Sequence, residues 1–219
     1  MMRWMNIFSD KHPSLIIFDM DGVIADTAES HKLAWRRYLA RFDKPFTDED
    51  FLAVFGTGNK ELCPILFPER QLSNEEIERI GMEKEAMFRS VASGRLTTYP
   101  GFYEFLDACK AAGIPLAVGS SACRDNVDFV LEELNIADRF RHTVSASDAP
   151  NAKPAPDIFL KAAALAGADP AQCLVLEDSL MGIRAGQAAG MTVTALATTH
   201  AAHELTEADH VVKDFRNLL

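Results

Sequence analysis

Two aspartates separated by one residue follow a short apolar run near the start of this 219-residue sequence. Asp19 and Asp21 come directly after residues 14–18, and Gly22 closes the sequence Phe18-Asp19-Met20-Asp21-Gly22. If the apolar run is a buried strand, both carboxylates lie at the edge of a sheet, where like charges repel unless a cation lies between them. The pair therefore indicates a metal site, a nucleophile or both.

Further polar residues follow, or lie between, later apolar runs. They are Ser120 and Ser121, then Lys153, then Glu177 and Asp178. Each has an ordinary interpretation by itself: a turn or helix cap, a solvated lysine, or carboxylates that cap the next helix. Together with the first aspartates, they offer hard oxygen ligands for Mg²⁺ and cationic and hydroxyl partners for a phosphoryl group.

Strands and helices must alternate along the chain to position these residues. Strands are predicted at residues 15–18, 115–119, 143–146, 173–176, 191–195 and 210–212, and helices at residues 101–112, 125–134, 157–165 and 180–189. This alternation predicts an α/β fold, a doubly wound parallel sheet of the Rossmann-like type with right-handed crossovers.

The alternation is interrupted once, by a stretch in which only helical patterns occur. These helices are predicted at residues 28–42, 48–54, 60–66 and 74–91. We therefore predict an inserted helical cap domain at residues 27–96 and a catalytic core formed by residues 1–26 and 97–219. Ligands of open α/β sheets bind outside the carboxyl ends of the strands, where this insertion must also emerge, so we expect it to form a lid.

Composition excludes several classes of function. The net charge of -10, from 32 acidic and 22 basic residues, argues against a nucleic-acid-binding protein. The four cysteines have no metal-binding spacing and are predicted to be reduced, packed thiols. Neither a signal-peptide core nor a membrane-spanning run is found, which predicts a cytoplasmic protein without a membrane partner. The sequence does not determine the oligomeric state, and a monomer is compatible with it.

The polar segments resemble, in chain order, the four motifs of the haloacid dehalogenase superfamily. The matching segments are Asp19-Met20-Asp21-Gly22-Val23-Ile24-Ala25-Asp26-Thr27, Ser120, Lys153-Pro154-x-Pro156-Asp157-x-Phe159 and Glu177-Asp178-Ser179-x-x-Gly182. The resemblance covers nearly the whole chain. It is strongest to the branch with a helical cap after the first motif, which includes beta-phosphoglucomutase and small sugar-phosphate phosphatases.

The resemblance implies a role for each core residue. Asp19 is expected to be the nucleophile, and Asp21 the general acid and base. The expected Mg²⁺ ligands are the Asp19 side chain, the Asp21 backbone carbonyl and Asp178, with Glu177 close by. Ser120, with Ser121 beside it, and Lys153 are expected to bind the transferring phosphoryl group. Dehalogenating members lack the second aspartate, so its presence here indicates phosphoryl chemistry.

Residues of the predicted cap carry a weaker resemblance. Thr27, His31 and Trp35 are spaced four apart and resemble positions that close over the sugar in the mutase. A packed aromatic and a surface histidine are the alternative interpretations of Trp35 and His31. Asn59 stands where the mutase pattern has an arginine that clamps a second phosphate, and an amide cannot replace a guanidinium there. Lys60 and Lys84 are candidates to supply the missing charge.

We therefore predict a Mg²⁺-dependent phosphatase that hydrolyses a small phosphorylated metabolite, such as a sugar phosphate, through an aspartyl-phosphate. A sugar-phosphate mutase resembling beta-phosphoglucomutase is the alternative, because it uses the same four motifs. A receiver-type phosphoacceptor signalling domain fits less well. Such domains are smaller, lack a long helical insertion and do not carry an aspartate two residues after the nucleophile.

Overall fold

The computed structural model describes residues 12–54 and 59–219, without the side chains of residues 52–54 and 59–61. The chain divides into two compact units. One comprises Met1–Asp26 and Leu96–Leu219, and the other comprises Thr27–Arg95. Within the described residues, no helix is both long enough and apolar enough to cross a membrane.

Within residues 12–26 and 96–219, the first unit is built on six parallel strands. They are β1 (Leu15–Phe18), β2 (Leu116–Gly119), β3 (His142–Val144), β4 (Cys173–Glu177), β5 (Thr192–Leu196) and β6 (His210–Val212). Their order across the sheet is β3-β2-β1-β4-β5-β6, and every pairing is parallel. This confirms the predicted doubly wound sheet. The strand order reverses between β1 and β4, which is where open α/β sheets bind their ligands.

The helices account for most of the remaining ordered structure. In the inserted unit they are α1 (Ala28–Ala40), α2 (Asp48–Val54), α3 (Asn59–Leu66) and α4 (Asn74–Ala92). In the first unit they are α5 (Phe102–Ala111), α6 (Arg124–Glu133), α7 (Asp157–Ala166) and α8 (Leu180–Ala188).

The central strand β1 is covered on both faces, as parallel strands usually are. All four of its residues are completely buried. On one face, Leu15 and Ile17 belong to a cluster that includes side chains of α7 and α8. On the other, Phe18 packs against Phe102 and Phe105 of α5 at ring distances of 6.3 and 6.1 Å. Each such buried side chain contributes about 1.5–3 kcal/mol, so the residue that follows β1 is fixed by a rigid core.

The inserted unit has an apolar core of its own. Helices α1 and α4 pack together, and Trp35, Tyr38, Phe67 and Ile80 are among the residues that they and α3 bury. The N-terminus of α4 is fixed by a capping box, in which Ser73 Oγ accepts a hydrogen bond from the backbone N–H of Glu76 and the Glu76 carboxylate accepts one from the backbone N–H of Ser73.

The predicted ends of β3 and α1 lie beyond the observed ends, for local reasons. Strand β3 ends at Val144 because Ser145 and Asp148 form a second capping box, which starts a short turn of helix at residues 146–148. Helix α1 ends at Ala40 because the chain turns there, with Asp43 at a φ of 54°.

Candidate active site

Asp19 stands at the carboxyl end of the buried strand β1. Its backbone N–H donates to the carbonyl of Leu176 in β4, 2.9 Å away, which fixes the residue at the point where the strand order reverses. Its side chain is nearly buried. Burial raises the pKa of Asp19 above its usual value against the lowering effect of Lys153, and the charges of Glu177 and Asp21 act in the same direction as burial.

Lys153 joins the ends of β1 and β4. Its Nζ donates to Asp19 Oδ1 at 2.5 Å and to Glu177 Oε1 at 2.7 Å. The ammonium also lies 4.6 Å from the centre of the Phe159 ring, which covers it on one side. Burial lowers the pKa of Lys153, but the two carboxylates outweigh burial and raise it above its usual value. The lysine is therefore held as a cation in the site and is not solvated.

Glu177 is the last residue of β4 and is almost completely buried. Its Oε2 accepts hydrogen bonds from the backbone N–H groups of Asp178 and Ser179 at 2.8 and 2.9 Å and from Ser179 Oγ at 2.9 Å. The hydroxyl of Ser179 in turn caps α8 by accepting from Gly182 N. Glu177 therefore fixes both Lys153 and the start of α8.

Asp178 completes a group of three buried carboxylates. One oxygen from each of Asp19, Glu177 and Asp178 lies within 4.8 Å of the others. Burial raises the pKa of Asp178, and the charges of Glu177 and Asp19 raise it further. Among the described residues, two of these three carboxylates are paired with one ammonium, that of Lys153, which leaves the group short of positive charge. Their hard oxygen atoms suit a divalent cation, so the residues fit a metal ion.

Asp21 and the predicted phosphate-binding serines lie in turns after strands. The group of three carboxylates does not include the side chain of Asp21, whose predicted contribution is its backbone carbonyl. Ser120 follows β2 and is buried, its backbone N–H donating to Val144 O. Its Oγ accepts from the backbone N–H of Ala122 at 3.0 Å, as in an ordinary turn, which leaves the hydroxyl hydrogen to be donated. Ser121 is exposed.

The predicted cap residues are grouped within the inserted unit. Thr27 is buried, and its carbonyl accepts from the backbone N–H of His31. The ring of His31 stacks on Phe88 at 3.9 Å, and its Nδ1 lies 2.9 Å from Nζ of the buried Lys84. Trp35 is a packed aromatic of the core, as in its alternative interpretation, and Lys84 Nζ lies 5.3 Å from its ring centre. The side chains of Asn59 and Lys60 lie outside the described part.

A group of polar residues after β5 was not among the predicted site residues. Thr198, Thr199 and His200 follow this strand at the same edge of the sheet as Asp19 and Asp178. His200 Nδ1 lies 3.0 Å from the backbone carbonyl of Asp178, and Thr198 Oγ1 donates to the carbonyl of Gly22 at 2.6 Å. The signal was present, because three polar residues in a row come shortly after the predicted strand at residues 191–195, much as polar residues follow β2 and β4.

Comparisons with known proteins show which family the chain resembles. Residues 13–190 match the family described as haloacid dehalogenase-like hydrolase. Beta-phosphoglucomutase of Bacillus subtilis is 36% identical over 183 residues, which cover 80% of each chain. Fructose-1-phosphate phosphatase YqaB of Escherichia coli is 31% identical over 178 residues, which cover 80% of this chain and 92% of the relative. Some relatives are much longer than this chain. In one plant protein, the matched segment makes up 18% of that protein's sequence.

A solved structure shows the same likeness. The crystal structure of CbbY from Rhodobacter sphaeroides in complex with phosphate has a TM-score of 0.83 at 27% identity, and the alignment covers 94% of this chain and 99% of that one. The family match spans all four motifs, including the carboxylates and the lysine that meet at the end of β1. The chain therefore belongs to the haloacid dehalogenase-like hydrolase family.

Proposed function

We propose that this protein is a Mg²⁺-dependent phosphatase that hydrolyses a small phosphorylated metabolite, with sugar phosphates as the favoured substrate class. The observation that carries the proposal is that Asp19, Glu177 and Asp178 meet at the reversal point of the sheet, where Lys153 pairs with the first two. A phosphate monoester needs a nucleophile, positive charge for its oxygens and a proton for its leaving group. The residues of this site offer all three.

In the first step, a carboxylate oxygen of Asp19 attacks phosphorus, and the bond from phosphorus to the ester oxygen breaks. The product is an aspartyl-phosphate and an alcohol. Asp21, two residues along the same loop, donates the proton that the leaving oxygen requires. Lys153 is already fixed against Asp19, and its ammonium offsets the repulsion between this carboxylate and the incoming phosphate.

In the second step, water attacks the phosphorus of the aspartyl-phosphate. The Asp21 carboxylate takes a proton from this water, the bond between phosphorus and the Asp19 oxygen breaks, and inorganic phosphate leaves. The site returns to its starting state, because Asp21 regains the proton that it gave up. The Ser120 hydroxyl, with Ser121 beside it, donates to the phosphoryl oxygens in this proposal.

Asp19 and Asp178 are the side chains that we propose as Mg²⁺ ligands, with the backbone carbonyl of Asp21. Glu177 already accepts four hydrogen bonds, so its role is to orient Lys153 and Asp178 beside the ion. When bound, Mg²⁺ would supply the positive charge that three buried carboxylates lack and would draw charge from the phosphoryl oxygens.

A sugar-phosphate mutase is the second candidate, and the 36% identity to beta-phosphoglucomutase favours it. The two activities share their first step and differ in what attacks the aspartyl-phosphate. We favour the phosphatase because Asn59 replaces the arginine that the mutase pattern uses for a second phosphate. The lid role of the inserted helices and a location in the cytoplasm are part of the same proposal. The four cysteines are free, as in a reducing compartment.

The experiment is a screen of the purified protein against sugar phosphates and an aryl phosphate, with Mg²⁺ present or removed by a chelator. We expect Mg²⁺-dependent release of inorganic phosphate from at least one sugar phosphate, and none from the Asp19→Asn variant. Absence of release from every substrate would refute the phosphatase.

A second assay separates the two candidates. The protein is given a hexose monophosphate together with a catalytic amount of the corresponding bisphosphate, and both phosphate and sugar isomers are measured. The phosphatase is expected to release phosphate without accumulating isomer. Accumulation of isomer with little free phosphate would establish the mutase in its place.

A further inference from the structure

The residues after β5 contact both loops that carry the proposed metal ligands. β5 lies beside β4, with Ala195 paired to Glu177, so the segment Thr198–His200 emerges next to Asp178. This segment is called the β5 loop below. It has no role in the mechanism described above, and yet its polar atoms face the site.

On one side the β5 loop holds the loop that follows β1. Thr198 Oγ1 donates to the carbonyl of Gly22 at 2.6 Å, next to Asp21 in the chain. The same hydroxyl lies 3.4 Å from the carbonyl of Leu196, the last residue of β5. Because Thr198 donates to Gly22, the start of the β5 loop is fixed to the loop after β1 by contacts within the protein.

On the other side the β5 loop holds Asp178. The hydroxyl of Thr199 lies beside the Asp178 carboxylate, since Asp178 Oδ2 and Thr199 Oγ1 would both lie within 2.6 Å of one Cβ atom built on Gly22. His200 Nδ1 lies 3.0 Å from the backbone carbonyl of the same residue, and since a carbonyl oxygen can only accept, Nδ1 carries the hydrogen. Asp178 is therefore held at its backbone by His200, and the hydroxyl of Thr199 lies next to its side chain.

Gly22 shows how closely these groups approach. A Cβ atom built on Gly22 would overlap the Asp178 carboxylate and lie 2.6 Å from Thr199 Oγ1. Three segments that are far apart in the chain thus meet with no room for a side chain. In such a contact, the direction of the Asp178 carboxylate depends on the hydroxyl beside it.

We propose that Thr199 is a positioning residue for the metal site, whose hydroxyl donates to one oxygen of Asp178 and aims the other at the divalent ion. The inference rests on the proposed function, because it concerns the ion that this function requires. Groups that hydrogen-bond to metal ligands fix the orientation of those ligands, and removing them lowers metal affinity by about 10–100-fold. Thr199 makes no contact with the phosphoryl group in this proposal.

The test compares Mg²⁺ binding to wild-type protein, Thr199→Val and Thr199→Ser by titration calorimetry. Valine keeps the shape of threonine and removes the hydroxyl, whereas serine keeps the hydroxyl and removes a methyl group. We expect Thr199→Val to lower Mg²⁺ affinity by about tenfold or more, and Thr199→Ser to retain the affinity of wild type. The melting temperature in chelator is measured for each, so that loss of fold is distinguished from loss of binding.

Thr192→Val is the matched control. Thr192 is the first residue of β5 and lies at the amino end of this strand, whereas the β5 loop follows its carboxyl end. The same chemical change at Thr192 should therefore leave Mg²⁺ affinity unchanged. Equal Mg²⁺ affinity in wild type and Thr199→Val would overturn the inference and leave the proposed function intact. Loss of affinity in Thr199→Ser as well would also overturn it, because packing would then be the cause. Failure of wild-type protein to bind Mg²⁺ would refute the metal role in the proposed function itself.

Discussion

Gly182, in the first turn of α8, is a position where helix propensity and site geometry predict opposite effects of substitution by alanine. A Cβ atom built on Gly182 would overlap the carboxylate of Glu177. That carboxylate accepts from Lys153 Nζ at 2.7 Å, from Asp178 N at 2.8 Å, and from the backbone N–H and Oγ of Ser179, each at 2.9 Å. To accommodate the methyl group, Glu177 must move away from some of these donors.

The two effects differ in size as well as in sign. Replacing glycine by alanine inside a helix gains about 1 kcal/mol. Each hydrogen bond to a charged group contributes about 1.5–3 kcal/mol, so the loss of two of the four costs about 3–6 kcal/mol. The net result is a destabilisation of about 3 kcal/mol. For a chain of this size, that lowers the melting temperature by about 6–12 °C.

The assay is thermal unfolding followed by circular dichroism in chelator, together with turnover of an aryl phosphate in Mg²⁺. Gly186→Ala, in the same helix, is the control, since its Cβ would lie 2.6 Å from Val193 Cγ2 and meet no carboxylate. We expect Gly182→Ala to lose stability and turnover, and Gly186→Ala to keep its turnover. A Gly182→Ala variant that melts above wild type and keeps full turnover would refute this reasoning, because helix propensity would then be the larger effect.

Four further outcomes are expected. Asp19→Asn should abolish turnover without lowering the melting temperature in chelator, because it removes the nucleophile and one buried negative charge but little volume. Residual turnover near the wild-type rate would contradict the assignment of Asp19 as the nucleophile. Asp21→Asn should slow hydrolysis of alkyl phosphates much more than that of aryl phosphates, since only the former need a proton on the leaving oxygen; equal losses would exclude the acid role. A thiol reagent at pH 8 should label native protein mainly at the partly exposed Cys123 and label all four cysteines after unfolding, which spectrophotometric titration counts. Burial raises the pKa of Cys109 from 9.0 to about 12 and that of Cys173 from 9.0 to about 11, so the folded state keeps protons that the unfolded state loses. The free energy of unfolding should therefore fall as the pH rises from 9 to 11. Denaturant titrations that show a constant free energy of unfolding over this range would contradict the burial of these thiols.

The sheet was predictable because its signals are local. Apolar runs bounded by turn residues predicted all six strands, and the alternation with helices predicted a parallel arrangement, which the structure confirms. Boundaries such as the end of β3 were less predictable, because the hydrogen bond between Ser145 and Asp148 competes with strand pairing. The role of Trp35 could not be predicted from the sequence either, since the same spacing suits a residue that contacts substrate and an aromatic residue of the core.

The sequence by itself determined which elements form and at which edge of the sheet the carboxylates, the lysine and the serines emerge, because residue periodicity and strand ends are properties of neighbouring residues. Only the tertiary structure decided which of those groups touch. Lys153 reaches Asp19 across 134 positions of the chain, Glu177 accepts four donors, and Thr199 lies beside Asp178 because β5 pairs with β4. Hydrogen bonds act over about 3 Å, so their partners depend on how distant segments pack and not on their order in the chain.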